Sequence, residues 1–271
     1  MSYSELSFVI DGPIARATIN RPHAMNAMKN GMWETLGDHL RSIEFNREVR
    51  VVVITGAGDN FCAGGDVKEF STTLGMSDLE RANHWMTSGD KGNQLFAIIE
   101  RIPQPVVVRI RGMAAGGGLA MVAAADLAIA SDKSRFLAAQ IRVGVIPDSA
   151  LSYNLVRNIG PKRAKQIAYL GDIFGPEEAR EFGLVNWVVS DNDLDSRTEE
   201  LLNLIAKLPQ EALGRTKRAM NIAHRISVVD HLAQETIDIG AVVAHPDYAE
   251  RVTAFMERQR RAGQPSPPVE G

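Results

Sequence analysis

The sequence predicts an α/β fold, and three observations carry the prediction. Continuous apolar, β-branched runs mark buried strands at residues 50–55 (RVVVIT), 105–110 (PVVVRI) and 127–130 (LAIA). Runs without polar alternation suit strands covered on both faces. Helical spacing fills the intervals, over residues 79–102, 119–125 and 151–170, and strands alternating with helices argue for an α/β architecture. From Leu194 onward the pattern is helical only, which divides the chain into a core, 1–193, and a helical region, 194–271.

The remaining elements follow in order. Residues 8–10 and 14–19 flank Asp11-Gly12-Pro13 and read as a β-hairpin. Met32, Trp33, Leu36, Leu40 and Ile43 recur at helical spacing. Residues 185–189 form a further candidate strand, and Gln264-Pro265-Ser266-Pro267-Pro268 reads as a frayed tail.

Composition narrows the class. The 271 residues are 45% hydrophobic and 23% charged, ordinary globular proportions for a core that needs no staple. Cys62, the single cysteine, can form no internal disulfide and fits a reducing compartment. The start, MSYSELSFVIDG, has neither a basic opening nor a long apolar run. The expectation is a cytoplasmic protein without signal peptide or membrane span. A net charge of -3 and a pI near 6.1 point away from nucleic acid. The local cluster Arg258, Arg260 and Arg261 suits a solvated helix end. No His, Cys and Asp spacing suggests a metal site.

Two glycine-rich turns follow buried strands. The first, 55–66 (TGAGDNFCAGGD), lacks the third glycine of a dinucleotide fingerprint and the Lys-Ser/Thr of a phosphate loop. The second, 111–118 (RGMAAGGG), opens a helical run. Consecutive glycines let backbone amides approach a ligand, and helix N-terminal amides favour developing negative charge. Paired N–H donors are what a reacting thioester carbonyl needs as it becomes an oxyanion. On the glycines alone, a tight turn with close backbone packing is the favoured reading.

Taken together, these segments resemble the enoyl-CoA hydratase/isomerase (crotonase) family. The resemblance rests on Asn20-Arg21-Pro22 with Asn26-Ala27-Met28, on Phe61-Cys62-Ala63-Gly64-Gly65-Asp66, and on Gly112 through Gly118 with Asp126. Gly144-Val145-Ile146-Pro147 and residues 179–185 (AREFGLV) match later landmarks in order. The resemblance implies a spiral of ββα units and a C-terminal helical trimerisation region, assembled as a homotrimer or homohexamer. It implies an acyl-CoA substrate, with coenzyme A as part of that substrate and no separate cofactor. The implied oxyanion donors are the backbone N–H groups of Gly65 and Gly117. Ala63, Gly64, Asp66 and Lys68 are expected along coenzyme A, as are His23 and Ala24. Phe255 and Arg258 match residues that reach coenzyme A on a neighbouring subunit; without that role they read as a core aromatic and a solvated charge.

The family's hydratases use two glutamates, and both are absent. Their positions correspond to Ala120 and Gln140, neither of which can act as a general base. One carboxylate remains in the stretch, Asp148 after Ile146-Pro147. In this it is closest in pattern to 1,2-epoxyphenylacetyl-CoA isomerases, where Ile-Pro-Asp supplies the aspartate and both glutamates are missing. In 4-chlorobenzoyl-CoA dehalogenases an aspartate here is a nucleophile, but their histidine corresponds to Asn93 and their supporting tryptophan to Gln140. Asp148 also precedes a helical pattern and is a natural helix cap. The expected activity is double-bond or ring isomerisation with Asp148 as the single base and Gln140 beside it. Enoyl-CoA hydration on one carboxylate and coenzyme A binding without catalysis are the alternatives. His84 and Trp85, on the helix after the first glycine turn, are placed to line an acyl pocket, although a lone helical histidine is more often structural.

Overall fold

The computed structural model describes residues 5–262, with side chains to 260; the expected tail at 264–268 lies outside them. The fold opens on a hairpin, β1 (Leu6–Asp11) antiparallel to β2 (Ile14–Ile19). It continues through α1 (Asn30–Ile43), β3 (Val51–Gly56), α2 (Val67–Thr72), α3 (Asp78–Arg101) and β4 (Val106–Ile110). Next come β5 (Met113–Ala115), α4 (Gly117–Ala124), β6 (Leu127–Ser131) and β7 (Arg135–Leu137). Then follow α5 (Leu151–Leu170), α6 (Pro176–Phe182), β8 (Trp187–Val189) and α7 (Leu194–Ala206). The helices α8 (Gln210–Ile222), α9 (Val228–Val243) and α10 (Pro246–Ala262) complete it.

The main sheet runs β1-β2-β3-β4-β6-β8, parallel after the first pair, and β5 and β7 form a small second sheet. Ala15 and Ala17, Val52 and Ile54, and Val106, Val108 and Ile110 point into one core with Leu36, Leu40 and Ile99. Each fully buried Val, Leu or Ile side chain among them contributes about 1.5–3 kcal/mol. The α3 helix begins on a capping box, with Ser77 and Glu80 satisfying each other's backbone N–H. The α5 helix is broken at Gly160 (φ 76), just before Pro161.

The chain forms two compact units, Met1–Leu208 and Pro209–Gly271. The division falls one helix later than the expected boundary at 193/194, and charges on the sheet explain why. The face of β2 and β4 opposite the core carries Arg16 and Arg109, and Arg111 follows β4. Arg16 forks onto Glu199 at 2.6 and 2.8 Å, Arg109 meets Asp195, and Arg111 bonds Asp191 at 2.9 Å. Two of these partners lie on α7, which therefore belongs to the first unit. In the second unit α9 packs on α8 and α10, and Arg215 joins Glu211 and Asp238, each at 2.7 Å. Among the described residues no helix is long and apolar enough to cross a membrane.

Candidate active site

The first glycine turn is held on both sides. Toward the small sheet, Cys62 N–H donates to Met113 O at 3.0 Å and Ala115 N–H to Cys62 O at 2.9 Å. On the other side, Met28 N–H donates to Gly64 O at 2.8 Å and Asp66 N–H to Met28 O at 2.9 Å. Met28 thus takes both hydrogen bonds across a parallel bridge to Gly65, and the Gly65 amide faces away from it. Gly65 N–H has no acceptor among the described residues.

The supports are side chains the sequence showed only as letters of a motif. Asn26 sits in the left-handed region (φ 57), which asparagine tolerates. Its amide accepts from Arg21 N–H at 2.8 Å and donates to Ala57 O at 2.9 Å and Asn60 O at 2.6 Å. The buried Arg21 guanidinium bonds Ala27 O and pairs with Asp66 at 2.8 Å. The other Asp66 oxygen caps α2 by accepting from Lys68 N–H at 3.0 Å. Burial pushes the Asp66 carboxyl upward, but Arg21 and the capping N–H outweigh it and hold it below the usual carboxylate range. Cys62 is fully buried, and burial pushes its thiol up to about 12.

The second turn brings Gly117 to the first. Gly116 (φ 53) donates its N–H to Leu137 O at 3.0 Å, and α4 starts at Gly117. The first helical bond runs from Ala120 N–H to Gly116 O, and Gly117 N–H has no acceptor among the described residues, as at any helix start. The two turns lie backbone against backbone. A Cβ on Gly64 would stand 3.1 Å from Gly117 N, and one on Gly118 would stand 2.1 Å from Cys62 O. The glycines are therefore demanded by close approach, which brings the Gly117 amide against Gly64, the residue before Gly65. Close packing thus accounts for these glycines, and the amides of Gly65 and Gly117 have no acceptor among the described residues.

One carboxylate connects to the second turn through Ala139 and Gln140. Gly116 packs toward Ala139, and Gln140 follows, its side chain buried. Gln140 Nε2 donates to Asp148 Oδ1 at 3.3 Å, while Gln140 Oε1 is buried without a partner among the described residues. Asp148 is exposed. It does not cap α5: Ala150 occupies that position, and no side chain bonds there. Ser149 and Ala150 both have φ 56, a conformation costing about 1–2 kcal/mol per non-glycine residue and found where function over-determines the backbone.

The other expected residues divide into groups. His23 is exposed and Ala24 half-buried on a short 3-10 turn, Pro22–Ala24. Ala63 lies beside that turn, its N–H bonded to Met25 O at 3.0 Å. Lys68 is exposed on α2. Phe255 and Arg258 are exposed on α10, in the second unit, so Phe255 is no core aromatic of this chain. Ala120 is fully buried in the apolar core. Among the described residues no group of three or more His, Cys, Asp and Glu is placed to hold a metal.

A fold built on two abutting glycine turns with free amides belongs to the crotonase class, and solved enoyl-CoA hydratases share it. The sequence profile of the enoyl-CoA hydratase/isomerase family matches residues 10–263, and the chain belongs to that family. It is 31% identical to the short-chain-enoyl-CoA hydratase of Clostridium acetobutylicum, over 96% of this chain and 98% of that one. It is also 31% identical to the 1,2-epoxyphenylacetyl-CoA isomerase of Escherichia coli K12, over 94% and 95%. A crystal structure from Thermobifida fusca YX, solved in complex with acetoacetyl-CoA, superposes with a TM-score of 0.82 at 28% identity, covering 89% of this chain and 95% of that one.

Proposed function

We propose that the protein moves a proton on an acyl-CoA thioester, shifting a double bond or remodelling a ring. The observation that supports this most is the pair of unsatisfied amides at Gly65 and Gly117. Donors aimed at the thioester oxygen stabilise the enolate and make a neighbouring carbon acidic. Asp148 removes that proton and returns it elsewhere on the acyl group, so that one carboxylate serves as base and then as acid. Gln140 orients it through the 3.3 Å contact. Coenzyme A runs past Ala63 and Gly64, with His23, Ala24 and Lys68 toward its phosphates; the Asp66 carboxylate is committed to Arg21 and the helix cap. In a homotrimer or homohexamer, Phe255 and Arg258 reach the coenzyme of a neighbouring subunit, where arginine suits phosphate.

Hydration is the second reading. The hydratase relative supports it, and so does Gln140 Oε1, a buried acceptor that a water would satisfy. Incubating enoyl-, dienoyl- and aryl-CoA thioesters in heavy water separates the two. Isomerisation incorporates deuterium without adding water to the product, whereas hydration adds it. Absence of both reactions across the panel overturns the catalytic reading.

A further inference from the structure

The side chains beside the two amides are aromatic. A Cβ on Gly117 would lie 2.6 Å from Trp33 Cη2, and one on Gly65 would lie 3.0 Å from Phe70 Cζ. The Trp33 indole and the Phe70 ring therefore stand against the two glycines, and each ring has a second behind it. Trp85 meets Phe70 edge-on with centroids 4.8 Å apart, and Phe96 lies 6.1 Å from Trp33. Trp85 and Phe96 share one face of α3 with Gly89 and Gly92, at spacings of four, three and four. A Cβ on Gly92 would touch only Trp33, and one on Gly89 would meet nothing within 4 Å. Two ring pairs thus flank a strip of the α3 face, at Gly89 and Gly92, that carries no side chain.

We propose that this arrangement selects a ring-bearing acyl group, held between Trp33 and the Phe70–Trp85 pair with its far end over Gly89. The inference rests on the acyl-CoA reading above. Each ring stands against the glycine whose amide would bond the thioester carbonyl, so the acyl group attached to that carbonyl starts beside them. Aromatic pairs at such separations contribute beyond their buried area, enough for roughly threefold to tenfold in affinity. A straight alkyl chain gains the burial alone and loses more rotational freedom on binding.

Calorimetry tests this with coenzyme A, 3-phenylpropanoyl-CoA and nonanoyl-CoA, saturated thioesters of equal carbon number that are not turned over. The wild-type protein binds the phenyl thioester at least about threefold more tightly than the alkyl one. Phe70→Leu abolishes that preference. Gly89→Leu, in open space on a helix, weakens the phenyl thioester and leaves coenzyme A unchanged. Equal or reversed affinities with coenzyme A binding intact overturn the inference alone, as does a preference that survives both variants. Failure of coenzyme A and both thioesters to bind overturns the acyl-CoA reading and this inference with it.

Discussion

Replacing Asp148 with asparagine separates chemistry from architecture. The Asp148 side chain is exposed and does not cap α5, and it accepts a hydrogen bond from Gln140. Asparagine keeps a carbonyl oxygen to receive Gln140 Nε2. The stability change therefore stays within about 0.5 kcal/mol, as for surface substitutions generally, or about 2 °C in melting temperature. The proposed base is lost outright, and a positioned general base accounts for about 10²–10⁴ in rate. At about 1.36 kcal/mol per decade, that raises the barrier by about 2.7–5.4 kcal/mol. The assay pairs a thermal melt with nuclear magnetic resonance of substrate hydrogens exchanging in heavy water. A variant that melts like wild type and exchanges at the wild-type rate would refute the mechanism, because nothing structural would mask the loss.

The other predictions address the supports of the site. Gly117→Ala and Gly117→Pro both push on Trp33, but only proline removes the amide; the proline variant turns over at least about a hundredfold more slowly than the alanine variant, and equal rates would remove Gly117 as a donor. The folded-state pKa of Asp66 is depressed, so its contribution to stability is complete above its unfolded value of about 3.9 and is lost as pH falls through the lower folded value. Melting temperatures of wild type and Asp66→Asn accordingly differ most near neutrality and converge in acid; a gap independent of pH would contradict the ion pair with Arg21. Light scattering gives a trimer or hexamer, and a stable monomer at micromolar concentration would leave Phe255 and Arg258 without a coenzyme to reach.

What could be read in the sequence depended on how far each signal extends along the chain. The runs at β3, β4 and β6 were plain because a strand covered on both faces needs several consecutive apolar residues. The strands β5 and β7 have three residues each and lie beside glycine turns, too short to show alternation. The strand expected at 185–189 begins at Trp187, because Leu184 and Val185 still bond back to Ala179 at the end of α6. The glycines at 64 and 116–118 could be recognised as a site, yet only the fold shows that each turn needs glycine because the other is there. Asp148 offered two readings, cap or carboxylate at a site, and the left-handed Ser149 and Ala150 that remove the first have no marker in residue type. Trp33 was visible as a core position by helical spacing; its contact with Gly117 joins segments far apart in sequence.

The buried thiol in the first glycine turn has a kinetic consequence. Cys62 lies inside the loop that carries Gly65, fully enclosed, with Gly64 N–H 3.4 Å from its sulfur. Thiolate is the reactive form, and a thiol pushed up to about 12 supplies almost none of it at neutral pH. An added thiol reagent can therefore reach Cys62 only during excursions in which the loop leaves its place between Met28 and β5. As the single cysteine in the chain, it makes the labelling rate a clock for that excursion, readable without substrate, and a ligand that ties the two turns together will slow the clock.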